Sequence, residues 1–157
     1  KEHHPQHARR RRAVNPHRYE QNTRGTRYDL REVFDTLNAR EFGNRLQSYV
    51  RWGDYASLTS YQTTRTAPEG SRYNLITIAG VYDHQSVPRF AIEGIMHHEM
   101  LHIAIPPSSG KSRRTVHGST FRAAEQRFAG YAAWDTWHRT HARSLAAAMR
   151  RRRRQNR

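Results

Sequence analysis

Apolar residues recur along the chain at two different spacings, and the change of spacing predicts where helices and strands lie. Apolar positions three to four residues apart run from Leu30 to Phe42 and stop at Gly43, which is typical of a helix ended by glycine. Alternation over Leu46–Trp52 predicts a strand, and Tyr73–Val81 predicts a second strand. The first half is therefore expected to form a helix and a small sheet.

The middle of the chain passes from polar residues to a strongly apolar helix. Residues 55–70 are rich in Thr and Ser and end in Pro68-Glu69-Gly70, which predicts a loop and a turn. Pro88 suits the first turn of a helix, and apolar residues follow at helical spacing. This predicted helix ends before Pro106-Pro107.

Helical spacing continues in the last third of the chain. Ser119-Thr120 can cap a helix, Gly130 predicts a bend, and residues 132–149 continue as helix. Trp134 and Trp137 are interpreted as core packing rather than as a platform for stacking bases. The fold class expected from these patterns is α+β, a small β-sheet packed by helices. The predicted buried face of the helix after Ser119 consists of Phe121, Ala124, Phe128 and Tyr131.

Charge divides the chain into a nearly neutral domain and two basic tails. The 157 residues suffice for one hydrophobic core, and 28 Lys and Arg against 13 Asp and Glu give a net charge of +15. Residues 1–24 and 138–157 carry most of this excess. We therefore divide the chain into an arm (1–24), a domain (25–140) and an Arg-rich C-terminal helix or tail (141–157).

The arginines point to nucleic acid as a partner. Guanidinium groups bind phosphates with two parallel hydrogen bonds, and a block such as Arg150–Arg154 is expected to stay disordered until it meets a polyanion. The alternatives are a solvated, non-specific tail or, with less support, an anionic membrane surface, since neither tail shows a bulky apolar face. The candidate contact residues are Arg9, Arg10, Arg11, Arg12, Arg113, Arg114, Arg150, Arg151, Arg152, Arg153 and Arg154.

Several protein classes are excluded by composition. The chain has no Cys, so disulfide scaffolds, thiolate zinc sites and cysteine catalysis are excluded. No apolar run approaches 18 residues, and the first thirty residues contain no apolar stretch typical of a secretory signal. We expect a cytoplasmic, nucleic-acid-associated protein, at the nucleoid or the ribosome, without a membrane partner.

The segment that indicates chemistry is His98-Glu99-Met100-Leu101-His102, which matches H-E-x-x-H. On a helix, His98 and His102 project from one face and can bind one zinc ion, while Glu99 can take a proton from a water molecule at the metal. The alternatives are core histidines satisfied by hydrogen bonds and a structural metal site without hydrolysis. His97 lacks a partner four residues on and is interpreted as a surface residue or as support behind the ligands.

A catalytic zinc site needs a third protein ligand, and two residues qualify. Glu125 lies in a predicted helix. His117 precedes Gly118, which permits a tight turn, and Phe121, which can anchor the next helix in the core. We favour His117 and keep Glu125 as the alternative.

Together, His98-Glu99-Met100-Leu101-His102 and His117-Gly118-Ser119-Thr120-Phe121 resemble the SprT-like (Spartan-type) zinc metalloprotease domain over about residues 28–140. The resemblance implies a minimal zincin fold and one Zn²⁺ per chain, bound by His98, His102 and His117. It also implies that Glu99 is the general base and that protein is cleaved in the presence of DNA. Candidates for stabilising the oxyanion are Tyr73, Tyr82 and Arg114.

Two functional hypotheses follow from these features. In the first, the chain is a zinc peptidase that acts on a protein substrate, and the basic tails hold it on nucleic acid. In the second, a SprT-like core is a folding unit of a non-catalytic assembly protein whose arginines bind ribosomal RNA or DNA. Retention of Glu99 beside the histidines favours the enzyme. The sequence does not predict the oligomeric state of the protein under either hypothesis.

Overall fold

In a computed structural model of the chain, the structure describes residues 13–107 and 116–157. These ranges contain five α-helices and three β-strands, so the chain is α+β as its hydrophobic pattern predicts. The helices are α1 (Leu30–Phe42), α2 (Arg89–Ala104), α3 (Ser119–Arg127), α4 (Tyr131–Trp137) and α5 (Arg143–Gln155). The strands are β1 (Tyr49–Trp52), β2 (Tyr61–Thr66) and β3 (Arg72–Ile78). Short 3-10 helices cover Pro16–Gln21 and Gly80–Tyr82, and a π-helical turn, His138–Ala142, joins α4 to α5.

The three strands form a mixed sheet in the order β1-β3-β2. Central β3 runs parallel to β1, with Tyr49 opposite Leu75, and antiparallel to β2, with Tyr61 opposite Thr77. Ile76 of β3 is fully buried in the core that α1 and α2 form with the sheet. One face of the sheet therefore rests on the two long helices, and β2 forms an edge.

The other face of the sheet is covered by a segment that the sequence assigns to the arm. Tyr19, in the first 3-10 helix, is 7% exposed. Its ring lies 6.3 Å from that of Tyr49 and 6.4 Å from that of Tyr73. Pro16 and Tyr19 are the buried residues of this 3-10 helix, so this part of the predicted arm is packed on the sheet. Residues 1–12 lie outside the described residues.

Strand β2 is an element that the hydrophobic pattern does not predict. Its residues are mostly polar, so no alternation of apolar and polar positions marks it, and residues 55–70 are predicted as loop. The strand forms because it pairs with β3 over its whole length, from Tyr61–Thr77 to Thr66–Arg72. The predicted turn before β3 is present, with Gly70 at φ +97°.

Helix α1 has the boundaries that the sequence predicts. The Asp29 side chain accepts a hydrogen bond from the Arg31 backbone N–H at 2.9 Å and caps the first turn. Gly43 follows the last turn at φ +58°, a conformation that glycine adopts without strain.

Helix α2 crosses the core and carries the H-E-x-x-H segment. Pro88 precedes it as the N-cap residue, and Ile105 ends it just before the two prolines. Gly94 allows α4 to approach closely, because a Cβ at this position would collide with the Trp134 side chain. Trp134 and Trp137 are each 8% exposed and belong to the core.

The predicted bend at Gly130 separates α3 from α4, and helix then continues to the C-terminal arginines. Arg150–Arg154 lie in α5, so the expectation that this block is disordered without a polyanion is wrong. The reason is packing, since Ala146 and Met149 on the apolar side of α5 are buried. No helix within residues 13–107 or 116–157 is long and apolar enough to cross a membrane.

Candidate metal centre

Helix α2 presents His98 and His102 one turn apart on the same face. Their ring centroids are 5.1 Å apart. The helical spacing of four residues is sufficient to produce this arrangement. The sequence-predicted pair is therefore positioned by local geometry alone.

His117 reaches the same place from the segment before α3. Its Nε2 atom lies 3.1 Å from Nε2 of His102, and one ring nitrogen from each of the three histidines lies within 4.8 Å of the other two. A tetrahedral zinc ion with Zn–N bonds of about 2.0–2.1 Å needs nitrogens roughly 3.3 Å apart, so the widest of these separations must close by no more than about 1.5 Å. The residues therefore fit a zinc ion.

Phe121, the first buried residue of α3, holds the three imidazoles together. It is 1% exposed, and its ring centroid lies 5.3 Å from His98, 4.7 Å from His102 and 4.9 Å from His117. The predicted role of Phe121 as the anchor of this helix is confirmed by its burial.

Burial favours the neutral imidazole, the form that binds a metal, at His102 and His117. Burial, followed by the neighbouring His98 and His117, lowers the pKa of His102 to about 4. Burial, followed by His98, also lowers the pKa of His117. Protons therefore compete less with a cation for the nitrogens of His102 and His117 near neutral pH.

Glu99 is a buried carboxylate with an unused oxygen. Its residue is 3% exposed, and its Oε2 atom has no hydrogen-bond partner among the described residues. Burial, opposed by His98 and reinforced by Glu125, raises the pKa of Glu99 to about 7. A carboxylate left unpaired inside a protein is costly, and a base with a pKa near neutrality is suited to accepting a proton at physiological pH.

Glu125, the alternative third ligand, lies behind His98 rather than within the histidine cluster. Its Oε1 atom is 2.5 Å from Nδ1 of His98, and its side chain is 12% exposed. This contact engages Nδ1 and leaves Nε2 of His98 as the nitrogen available to a metal. The structure thus brings both candidates to His98 but gives only His117 a place among the clustered nitrogens.

His97 belongs to the hydrophobic core, so its interpretation as a surface residue is wrong. It is 5% exposed, and its ring stacks on Phe128 at 4.0 Å and on Phe42 at 5.5 Å. Burial lowers the pKa of His97 to about 4, which keeps the ring neutral in this environment. Its position one residue before His98 turns its side chain about 100° around α2 from that of His98.

Tyr82 is removed from the set of oxyanion candidates by its hydrogen bonds. It is fully buried, its oxygen accepts from Trp134 Nε1–H at 2.8 Å, and its hydroxyl donates to His138 Nδ1 at 2.8 Å. Tyr73 lies on the face of the sheet covered by Tyr19. The remaining candidate, Arg114, lies outside the described residues.

A groove of about 720 Å³ runs past the histidines between the edge of the sheet and the end of α2. The β2 and β3 side of this groove is polar, whereas the opposite side is largely apolar. The residues of the sheet wall are absent from the sequence-based prediction because β2 is not predicted. The run of β-branched Thr63-Thr64 between two turn signals is the signal that marks this strand. Lining residues are Ser60, Tyr61, Gln62, Thr63, Thr64, Arg72, Asn74, Ile103, Pro106, Pro107 and Val116.

The predicted nucleic-acid contacts divide by position. Arg150–Arg154 are exposed on α5, away from the groove lining. Arg9–Arg12, Arg113 and Arg114 fall outside the described residues.

Comparisons of the chain with protein families, with curated proteins and with solved structures found no match.

Proposed function

We propose that the chain is a zinc-dependent metallopeptidase of the SprT-like type, which acts on proteins associated with nucleic acid. The observation that carries this proposal is the convergence of His98, His102 and His117 beside Glu99. A purely structural metal site has no use for a buried, unpaired carboxylate next to its ligands. The α+β fold class is compatible with a minimal zincin, the finer fold that we propose.

The chemistry divides between a metal and the chain's own residues. Zinc held by the three histidines would supply Lewis-acid polarisation of a carbonyl and would acidify a water molecule. Glu99 would accept a proton from an attacking water molecule and would deliver it to the leaving amine when the peptide bond breaks. Burial keeps the pKa of Glu99 near neutrality, where the carboxyl group can both accept and release a proton.

The groove gives the substrate a defined direction. Because β2 is an edge of the sheet, an extended peptide can add to it as a further strand and pass over His98 and Glu99. The polar wall of Gln62, Thr64 and Asn74 tolerates varied side chains. The substrate class that fits is an extended segment of protein chain.

The second hypothesis, an assembly protein without activity, rests on the eight arginines and no acidic residue in positions 138–157. This hypothesis accounts for the charged tail, but it gives the buried, unpaired carboxylate of Glu99 no role. Under the favoured function, the arginines hold the enzyme on the polyanion that carries its protein substrate, which raises the local substrate concentration.

The test is zinc stoichiometry together with casein cleavage, with and without DNA. The full chain would carry His3→Gln, His4→Gln and His7→Gln, so that the N-terminal histidines bind no stray metal. We expect one zinc per chain, lost in His117→Ala and retained in Glu99→Gln. Cleavage is expected to be lost in both variants.

His17→Ala is the matched control, because His17 is exposed and lies outside the cluster. It should retain both zinc and cleavage. Zinc at unit stoichiometry without cleavage in the parent chain would favour the assembly protein. No stoichiometric zinc would exclude a metallopeptidase.

A further inference from the structure

Helix α5 is held rigidly against the domain by its apolar side. The Tyr55 hydroxyl donates to the Met149 carbonyl at 2.9 Å, and the Arg150 guanidinium donates to the Ala56 carbonyl at 2.9 Å. The Arg153 guanidinium lies over the Tyr55 ring, 4.4 Å from its centroid. The arginines that follow are therefore presented on a fixed frame rather than on a loose tail.

The arginines surround the exposed side of this helix. Each residue advances about 100° around the axis, so Arg151 lies nearly opposite the buried Met149. Arg143 and Arg154 lie on one flank of the exposed side, and Arg152 lies on the other. All four are exposed. The distance from Arg143 to Arg154 along the axis is about 16 Å at 1.5 Å per residue.

The charge on α5 is not balanced within the chain. In the described residues, no ion pair joins an α5 arginine to a carboxylate. Arginines spaced four apart, such as Arg150 and Arg154, repel each other and weaken the helix. A bound polyanion would remove this repulsion, and phosphate is the anion that guanidinium groups bind in bidentate fashion.

We propose that α5 binds double-stranded DNA by lying in its major groove, with the flanking arginines on the phosphates of both strands. The major groove is about 12 Å wide and admits an α-helix, whereas the major groove of double-stranded RNA is too narrow. Outward-facing Ser144 and Ala148 are small and exposed, so the helix can approach the groove closely. This surface is separate from the groove beside His98, and its function does not depend on hydrolysis.

The experiment measures binding of a fluorescent 20-base-pair DNA duplex by anisotropy at several salt concentrations. The triple variant Arg151→Gln, Arg152→Gln and Arg154→Gln removes three of the proposed phosphate contacts in the full chain. Each lost contact should lower the slope of log affinity against log salt by about 0.9, so we expect a decrease of about 2.7. An RNA duplex of the same sequence and a single strand of the DNA should each bind the parent chain more weakly than the DNA duplex does.

The matched control is Arg18→Gln, Arg45→Gln and Arg127→Gln, which removes the same charge from exposed positions outside α5. It should leave the slope unchanged. A slope lowered equally by the two triple variants would mean that net charge, not α5, determines binding. Equal affinity for duplex RNA or for single-stranded DNA would overturn docking in the major groove.

A different observation, the contact of Glu125 with His98, carries a second inference. We propose that Glu125 is a positioning residue, which holds a proton on His98 Nδ1 and thereby directs Nε2 toward the metal. A carboxylate behind a metal-binding histidine fixes the tautomer and the orientation of its ring. This inference rests on the proposed zinc site, although its first measurement needs no metal.

Nitrogen NMR of the imidazoles in metal-free protein should show a proton on Nδ1 of His98, lost or redistributed in Glu125→Ala. Zinc affinity should fall about 10–100-fold in Glu125→Ala and should recover in part in Glu125→Gln, which keeps an acceptor. The control is Gln126→Ala, at the next, exposed position of α3.

Three results would overturn the positioning role. An unchanged His98 tautomer in Glu125→Ala would show that the contact with Glu125 does not determine this tautomer. Unchanged zinc affinity would show that the contact has no effect on the metal. A loss of zinc as complete as that in His117→Ala would make Glu125 a ligand. A parent chain that shows the tautomer but binds no zinc would reject the peptidase separately.

Discussion

Neighbouring histidines in this chain lie in opposite environments. His97 stacks between Phe42 and Phe128 in the core, whereas His98 faces the groove with His102. A rotation of about 100° per residue places adjacent side chains on different sides of a helix. The pairing with His102, four residues on, therefore identifies His98 as a candidate metal ligand, while only the packed structure assigns His97 to the core.

His138 is the acceptor at the end of a buried hydrogen-bond chain. Tyr82 accepts from Trp134, so its single proton goes to His138 Nδ1, which must be unprotonated. Burial, opposed by Asp135 and reinforced by His98, lowers the pKa of His138. The unfolded chain, with a histidine pKa near 6.5, therefore binds more protons than the folded chain in mild acid.

We therefore expect the free energy of unfolding to fall as pH falls below about 6.5, with His138 contributing to the slope. His138→Asn keeps an acceptor for Tyr82 but does not titrate. It should remain within about 1 kcal/mol of the parent at pH 8 and should lose less stability by pH 5. Urea unfolding at both pH values measures this difference. Parallel losses in the two proteins would contradict a titrating role for His138.

At the scale of elements, the contact between α2 and α4 determines where the histidines stand. Gly94 lets the Trp134 side chain lie against the backbone of α2, and the Trp134 ring is 5.5 Å from that of His98. The tryptophan thus packs against a histidine of the candidate metal centre. A substitution at Gly94 is expected to lower both the free energy of unfolding and the affinity for zinc.

Gly94→Ala should destabilise the fold by about 1–3 kcal/mol, because its Cβ overlaps the Trp134 side chain and forces a shift. This exceeds the gain of up to about 1 kcal/mol from replacing a helical glycine by alanine. Zinc affinity should also fall, since Trp134 packs against His98. Thermal unfolding and zinc titration measure the two effects.

Gly43→Ala is the comparison for this substitution. A Cβ at Gly43 would contact nothing within 4 Å, and its φ of +58° makes the cost one of backbone strain. We expect a loss of about 1 kcal/mol with unchanged zinc affinity. A Gly94→Ala protein as stable as the parent would mean that α2 and α4 separate without cost.

At the scale of the whole molecule, the two candidate functions occupy different surfaces. The groove beside the histidines lies between β2 and α2, whereas the arginines of α5 lie beyond Tyr55 on a separate docked helix. Such a separation allows a nucleic-acid contact and a protein substrate to be bound at the same time. The basic surface can therefore serve the groove without entering it.

The helices and the candidate metal ligands of this chain could be predicted from the sequence. Helical periodicity and the glycine after Phe42 determine α1, and the spacing of His98 and His102 places both on one face, because these features depend on neighbours within one or two turns. The histidine cluster follows once His117 is favoured over Glu125. Local interactions are sufficient for these predictions.

Tertiary structure alone decided three features of the fold. They are strand β2, the docked 3-10 helix that contains Tyr19, and the ordering of α5. β2 exists through its pairing with β3, and Tyr19 and Arg153 find their partners at Tyr73 and Tyr55, far away in the chain. The assignment of Glu125 to the rear of His98 also depends on how α3 docks on α2. Contacts between distant residues carry no periodic signal in the sequence, so folding alone brings these groups together.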